Sequence, residues 1–372
     1  MEEQITYHIV DSVKGGSGKT TFSIMFAQYL HQVLDLIAKY GSIKKGREAE
    51  SQNGQADDKE QSGKNLINSP VCLFDMDFIG TGLWNLFYAE REGDYLGNLN
   101  KFKEQYIFVN QMIRSYRTDG KQYFAQFKVA GWEFNIAFSS PEQKDKDEYI
   151  FAAMQNYTMA LQYGTLKTGI YHMLDREQIA ERIKTKPGHI ILDMAPGNDN
   201  YSQAVKQIFF DRDEESLVKK NDQLNYYLLV GMDQGQVVAA ANYLRRLLGG
   251  NEKLPDKIFV VFNDAARYLP HEVTQDNIPK NGKHFNSRKN MFVDILNIGS
   301  VIHGKNRICF LALNEFEEYS KLMLKVLVLP DADGKVFLET PFAYYAAFEE
   351  DMQKFMGADT EEKIWNWIQP ES

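Results

Sequence analysis

Cysteine is nearly absent from this sequence, with only Cys72 and Cys309 among 372 residues. Both sit in apolar stretches, VCLF and RICFLAL, and read as reduced core thiols. Neither a disulfide framework nor a cysteine metal site can be built from them. An excess of positive charge is also missing. The formal net charge is −9, which argues against nucleic acid as the partner of the whole surface and leaves room only for a local basic patch. No run reaches the roughly 18 apolar residues of a spanning helix. The opening MEEQITYHIV is acidic and is not a secretory signal, so the expected location is cytoplasmic. There is no internal repeat.

What is present suits a large soluble core. Apolar residues make up 44% and charged residues 25%, within the range of ordinary globular domains. Short continuous apolar runs recur: Ile5–Val10, Pro70–Phe74, His189–Leu192, Tyr226–Val230 and Lys257–Asn263. Such runs suit strands of a parallel sheet covered on both faces. Helical spacing lies between them. Phe22, Met25, Phe26, Tyr29, Leu30, Val33, Leu34 and Ile37 share one helix face. Further helical patterns cover Gly97–Tyr116, about 148–185, about 200–210, Gln236–Leu248 and Pro341–Phe355, with a short candidate at Glu361–Gln369. Strand-like pieces fall at Tyr123–Val129, Trp132–Phe138, Arg307–Leu313 and Val326–Leu329. The alternation predicts an α/β fold, a doubly wound and mostly parallel sheet flanked by helices, as one domain over 1–372 with insertions. Residues 41–69 contain no aromatic residue and little that is apolar, and read as a solvated, mobile insertion. Residues 91–130 read as a divergent insertion and 264–300 as a long, partly basic loop.

The chemistry begins at Lys14-Gly15-Gly16-Ser17-Gly18-Lys19-Thr20-Thr21, placed after a strand and opening a helix. Glycines let backbone amides wrap a phosphate, and the following helix N-terminus adds a positive field. Lys19 supplies a point charge to the outer phosphates, and the Thr20 hydroxyl is a ligand for Mg²⁺. The first glycine of the common phosphate loop is missing, since Val13 stands in its place.

K-G-G-x-G-K-T-T closely resembles the deviant Walker A loop of the ParA/MinD superfamily, the signature-lysine P-loop ATPases. The resemblance implies a slow Mg²⁺-dependent ATPase with ATP as its nucleotide. It also implies a homodimer closed by ATP, in which Lys14 reaches the partner's phosphates as an arginine finger does. Asp75-Met76-Asp77-Phe78-Ile79-Gly80-Thr81-Gly82 resembles that family's D-x-D-P-Q-G segment, with Phe78 for proline and Ile79 for glutamine. Asp77 then orients the attacking water or the metal shell, and Asp75 supports it. Asp193-Met194-Ala195-Pro196-Gly197 resembles the D-x-x-P-G segment. There Asp193 holds a Mg²⁺-bound water and Gly197 brings a backbone N–H to the γ-phosphate. Asn263, ending a strand, matches the amide that reads adenine. Pro330-Asp331 resembles the second wall of the base pocket, and an alternative alignment gives that role to Leu313-Asn314-Glu315.

The function implied is partitioning or positioning of DNA or of a protein complex, driven by an ATP-dependent homodimer switch with a protein activator. Nonspecific DNA contact rests on Lys280, Lys283, His284, Arg288 and Lys289. Membrane anchoring ranks low, because Glu361–Ile368 is acidic and short. The alternatives are a nucleotide-gated scaffold for conjugation, secretion or mobile-element machinery, and a P-loop phosphotransferase for a small molecule.

Overall fold

The computed structural model describes residues 4–27, 30–31, 70–80, 82–85, 87, 95–115, 120–129, 132–146, 159–197, 200–210, 216–249, 255–263, 281–296, 308–312, 328–330 and 336–338. Within these, the strands are β1 (Thr6–Ser12), β2 (Val71–Met76), β3 (Ala125–Val129), β4 (Trp132–Ala137), β5 (His189–Met194), β6 (Gln223–Gly231), β7 (Lys257–Asn263), β8 (Ile308–Ala312), β9 (Val328–Pro330) and β10 (Val336–Leu338). They form one sheet in the order β8-β7-β6-β1-β5-β2-β4-β3-β10-β9. Every pairing from β8 across to β4 is parallel. β3 turns antiparallel against β4, and β9 against β10.

The parallel strands are β-branched and aromatic on both faces, which is why they read as continuous runs rather than as alternating ones. In β1, Tyr7 and Ile9 face the Asn200–Phe210 side, where Tyr7 meets Phe209 at 6.1 Å between ring centroids. His8 faces the other way, edge-on to Phe26 of the helix over 19–27 at 5.1 Å. Helices therefore cover both faces. The connections that leave β1 and β5 run in opposite directions, the first to β2 and the second to β6. In open α/β sheets such a reversal places the binding crevice at the carboxyl ends of those strands.

Several expected elements take a different form. Gly97–Tyr116 is two helices, Tyr95–Gln105 and Val109–Ser115. Between them Tyr106 bridges to Gln122 and Ile107 donates to the Gln122 carbonyl at 2.7 Å, so the chain extends to bury Phe108. The pattern over 148–185 resolves into Met159–Met173 and Arg176–Ile183. The break falls at Asp175, whose carboxylate caps the second helix by accepting from the Gln178 N–H. Residues 91–130 are more than an insertion, because Phe102, Phe108, Val109, Met112, Tyr123 and Phe124 are buried and β3 extends the sheet. Gly169 lets Met159–Met173 approach Val109–Ser115 closely, since a Cβ there would lie 2.3 Å from the Ile113 carbonyl oxygen.

The stretch 264–300 is not wholly a loop. Asn281–Leu296 is a helix, and its Phe292 and Leu296 bury against Gln234–Gly249 with Met291 and Ile295 beside them. The polar start of this helix hides that four-residue apolar face. The expectations for 41–69, Pro341–Phe355 and Glu361–Gln369 fall outside the described residues. No described helix is long and apolar enough to cross a membrane.

Candidate functional site

β1 ends at Ser12 and the chain turns through Val13–Gly18 into the helix over 19–27. Gly16 and Gly18 take φ of +76° and +86°, a region that side chains disfavour. The two lysines of the loop are placed differently. Lys14 is exposed together with Gly15 and Gly16, whereas Lys19 is buried along with Ser17 and Thr21.

β2 and β5 bring their terminal acids side by side, with Asp75 in register with Asp193. Thr20 donates its hydroxyl to Asp193 Oδ2 at 2.7 Å, and Ser23 donates to Oδ1 at 3.2 Å. Burial pushes the Asp193 carboxyl up to about 6. The Lys19 charge and the Thr20 and Ser23 hydroxyls oppose that rise, while the Asp77 charge adds to it. Asp75 is held well above the usual carboxylate range, first by burial and then by the charges of Asp77 and Asp193. Its oxygens accept from the backbone N–H groups of Asp77 at 3.1 Å and Ser139 at 3.4 Å. Asp77 is only half-buried, and its Oδ1 accepts the Gly80 N–H at 2.7 Å.

The Asp77–Gly80 turn is built tightly. A Cβ at Gly80 would fall 2.4 Å from Asp77 Oδ2. Phe78, standing where the resemblance has proline, is buried and pins the turn to the core, and Ile79 is 44% exposed. Gly82 packs on the phosphate loop, where a Cβ would meet Thr20 Oγ1 at 3.0 Å. Gly197 has φ +107° and donates its N–H to the Ser12 carbonyl at 2.9 Å, which ties the Asp193–Gly197 segment to the root of the loop.

The structure thus gathers Lys14 to Thr21, Asp75, Asp77, Asp193 and Gly197 at the carboxyl ends of β1, β2 and β5. Asn263 joins them from the end of β7, where its side-chain nitrogen donates to the Ser17 carbonyl at 2.8 Å. Asn263 Oδ1 and Ser17 Oγ are buried without a hydrogen-bond partner among the described residues. Pro330 does not join them. It lies in β9, at the opposite end of the sheet from β7 and β8, paired with Val336. Its strand-then-proline pattern carries no information about which edge of the sheet it occupies. Asp331 lies outside the described residues. The alternative, Leu313-Asn314-Glu315, also lies outside them, but follows β8, whose Ala312 is in register with Phe262 beside Asn263. The basic stretch is altered too. Lys283, His284, Arg288 and Lys289 fall on the Asn281–Leu296 helix, and Arg288 Nε donates to the Met232 carbonyl at 3.0 Å.

Hard oxygen donors characterise this site, and they suit Mg²⁺. Among the described residues no group of three His, Cys, Asp or Glu could hold an ion alone. The fit is therefore to a cation held by Thr20 and Asp193 that shares phosphate and water oxygens, the usual mode for Mg²⁺ with a nucleotide.

No protein-family model matches the sequence, and no curated protein does. Solved structures match at low identity. One, from Borrelia burgdorferi B31, is assigned to plasmid partition and is bound to AMPPNP; it is 14% identical, covers 95% of this chain and 99% of that one, and has a TM-score of 0.45. ParA of pNOB8 is 13% identical, with coverage of 98% and 96% and a TM-score of 0.46. The cell division ATPase MinD of Pyrococcus furiosus is 10% identical, with coverage of 94% and 98% and a TM-score of 0.42. In layout, the chain is similar to these ParA- and MinD-type proteins. At such identities, function has to come from the loop and its neighbours in this chain.

Two residues at the site carried no motif. Ser23 was recoverable in principle, because it follows Thr20 by about one helical turn and so faces the same acid. Ser139, whose hydroxyl donates to the Asp75 carbonyl at 2.7 Å, comes from the end of β4 and has no local signal.

Proposed function

We propose that this protein is a slow Mg²⁺-dependent ATPase of the ParA/MinD kind that closes into a homodimer on ATP and opens after hydrolysis. Its output is the positioning of DNA or of a protein complex. The observation that carries the reading is the direct Thr20–Asp193 hydrogen bond at the mouth of a loop with two left-handed glycines. That arrangement aligns a metal-ligand hydroxyl, an acid and a row of amides where a triphosphate tail would lie.

In this mechanism Lys19 and the loop amides hold the phosphates, and Thr20 and Asp193 hold Mg²⁺. That cation, when bound, would supply charge neutralisation to the phosphate tail. Asp77, half-buried at the rim, orients the attacking water. Gly197 offers its N–H to the γ-phosphate once it leaves the Ser12 carbonyl. Lys14, exposed, reaches the nucleotide of the second subunit, where a cation stabilises transferred charge. Asn263 Oδ1 has no partner among the described residues, and an exocyclic amine such as that of adenine would satisfy it.

The two lysines provide the test. Lys19→Ala is expected to abolish MgATP binding. Lys14→Ala is expected to keep affinity within about threefold and to cut turnover by about tenfold or more, with loss of ATP-dependent dimers in light scattering. Equal loss of binding in both variants would contradict the role across the dimer. Turnover measured with duplex DNA, lipid vesicles or a candidate partner protein then names the output.

A further inference from the structure

The Asn200–Phe210 helix follows the Asp193–Gly197 segment, and its Lys206 is completely buried. The Lys206 ammonium lies 2.9 Å from Asp11 Oδ2, with both side chains 0% exposed. Tyr226 and Tyr243 each donate a hydroxyl to the same oxygen at 2.6 Å. Lys206 also contacts the Tyr243 hydroxyl. Asp11 Oδ1 accepts the Ser12 N–H at 2.7 Å. A buried charge pair is tolerated when further hydrogen bonds surround it, and here two phenols and a backbone N–H do so for Asp11 and the Tyr243 hydroxyl does so for Lys206. Burial and the Asp11 charge hold the Tyr226 phenol well above its usual range, which keeps it a donor.

The location of this pair sets it apart from an ordinary core contact. Asp11 and Ser12 end β1 and lead straight into the phosphate loop. Ser12 donates its hydroxyl to the Lys14 carbonyl at 2.9 Å, and the Ser12 carbonyl accepts the Gly197 N–H at 2.9 Å. Gly197 is therefore attached to the root of the loop directly, and the helix beyond it is attached to the same root by Lys206. An apolar pair of similar volume would stabilise the core as well or better, so stability alone does not account for a buried lysine at this point.

We propose that Lys206 is a positioning residue that, through Asp11, locks the helix after Gly197 to the root of the phosphate loop, so that a change in the loop is passed to the Asp193–Gly197 segment. The proposal deepens the ATPase reading and rests on it for its catalytic consequence.

Lys206→Met alone leaves Asp11 buried and unpaired, and is expected to unfold much of the protein. The informative variant is the double substitution D11N/K206M, which removes both charges. Hydrogen exchange over 195–210 is measured on nucleotide-free protein, and mant-ATP affinity and kcat are measured with magnesium. The double variant is expected to unfold cooperatively and to exchange about tenfold faster over 195–210. It should bind mant-ATP within about threefold of the wild type, with kcat about tenfold lower. Tyr243→Phe keeps both charges and is expected to show the same pattern at roughly two- to threefold. A folded double variant with wild-type exchange over 195–210 overturns the proposal, and so does one with fast exchange and wild-type kcat. A double variant that does not fold assigns the pair to stability and overturns it as well. Wild-type protein that binds no mant-ATP sinks the ATPase reading instead, and the nucleotide-free exchange still decides whether Lys206 holds the segment.

Discussion

Two clusters of buried ionisable groups share strands β1, β2 and β5, and burial acts on them with opposite sign. At the carboxyl ends, Asp75 and Asp193 are pushed up by burial and by carboxylate neighbours. Further down β1 and at the start of β5, His8 and His189 are pushed down, His189 to about 4 and His8 well below its usual value. Burial is the first cause for both, followed by the neighbouring imidazole, His31 for His189 and His189 for His8. The histidines satisfy each other in the neutral form. His8 Nε2 and His189 Nδ1 are 3.0 Å apart, and His8 Nδ1 meets the Tyr227 hydroxyl at 3.3 Å. A neutral imidazole offers one donor and one acceptor, so such a chain closes without charge. Carboxylates that converge repel one another, and a proton or a cation relieves them. The first cluster thus carries repulsion that the cation of the proposed function would relieve, whereas the His8–His189 pair needs no charge.

Asp193→Asn separates the two most sharply. It removes the negative charge and replaces with NH₂ one of the two oxygens that accept from Thr20 and Ser23 and would hold Mg²⁺. MgATP turnover is expected to fall by about a hundredfold or more. Nucleotide-free stability is expected to move the other way. With a folded pKa of about 6 against an ordinary 3.8, native Asp193 keeps a proton that the unfolded chain has already released. This raised pKa makes the protonated native form relatively stable at low pH, and that advantage is lost as pH rises toward 6. The resulting deficit at pH 7 is on the order of 3 kcal/mol. Asn carries no such penalty, so the variant should unfold at higher denaturant at pH 7. A variant both less stable and fully active would break the contrast between the clusters.

What could be read before the structure follows from how local each signal is. The glycine turn after β1 was legible because Gly16, Gly18, Lys19 and Thr20 lie within a few residues of one another. Asp75 and Asp193 were legible because each ends a short apolar strand. Pro330 misled because a strand-then-proline pattern names a turn and not a sheet position, and sheet order is set by pairings far apart in sequence. The Asn281–Leu296 helix was read as loop because its first turn is Asn, Gly and Lys, and its apolar face appears only from Met291 onward. Asp11 and Lys206 gave no signal at all. A lone acid in a strand and a lone lysine in a helix read as exposed until tertiary packing brings them together.

A middle-sized effect comes from pH. His189 is neutral in the folded protein down to about pH 4 and accepts a proton in the unfolded chain near 6.5. Its contribution is complete above pH 6.5 and is lost as pH falls from 6.5 toward 4, by on the order of 3 kcal/mol. Asp75 and Asp193 act with the opposite sign over acid pH, so the wild-type profile is flattened. Comparing D193N with D193N/H189N by denaturant unfolding from pH 7 to 4 isolates the histidine. The first should lose stability more steeply on acidification, and equal slopes would show that His189 does not titrate as placed.

The smallest effect tests whether the histidine cluster is indeed separate from the chemistry. Tyr227→Phe deletes the hydroxyl 3.3 Å from His8 Nδ1 and keeps the ring, which stacks on Phe259 at 4.7 Å with 9° between planes. The bond is long, so its loss should cost about 1 kcal/mol or less. The neutral His8–His189 contact remains. The Tyr227 ring meets Phe22 and Phe26 of the helix that carries Lys19 and Thr20, so a tilt of that helix is a route by which the change could reach the site. Unchanged kcat and KM for MgATP, with a small drop in denaturant midpoint, keep the two clusters independent. A shift in KM would mean that the helix transmits packing on the histidine side to the phosphate loop.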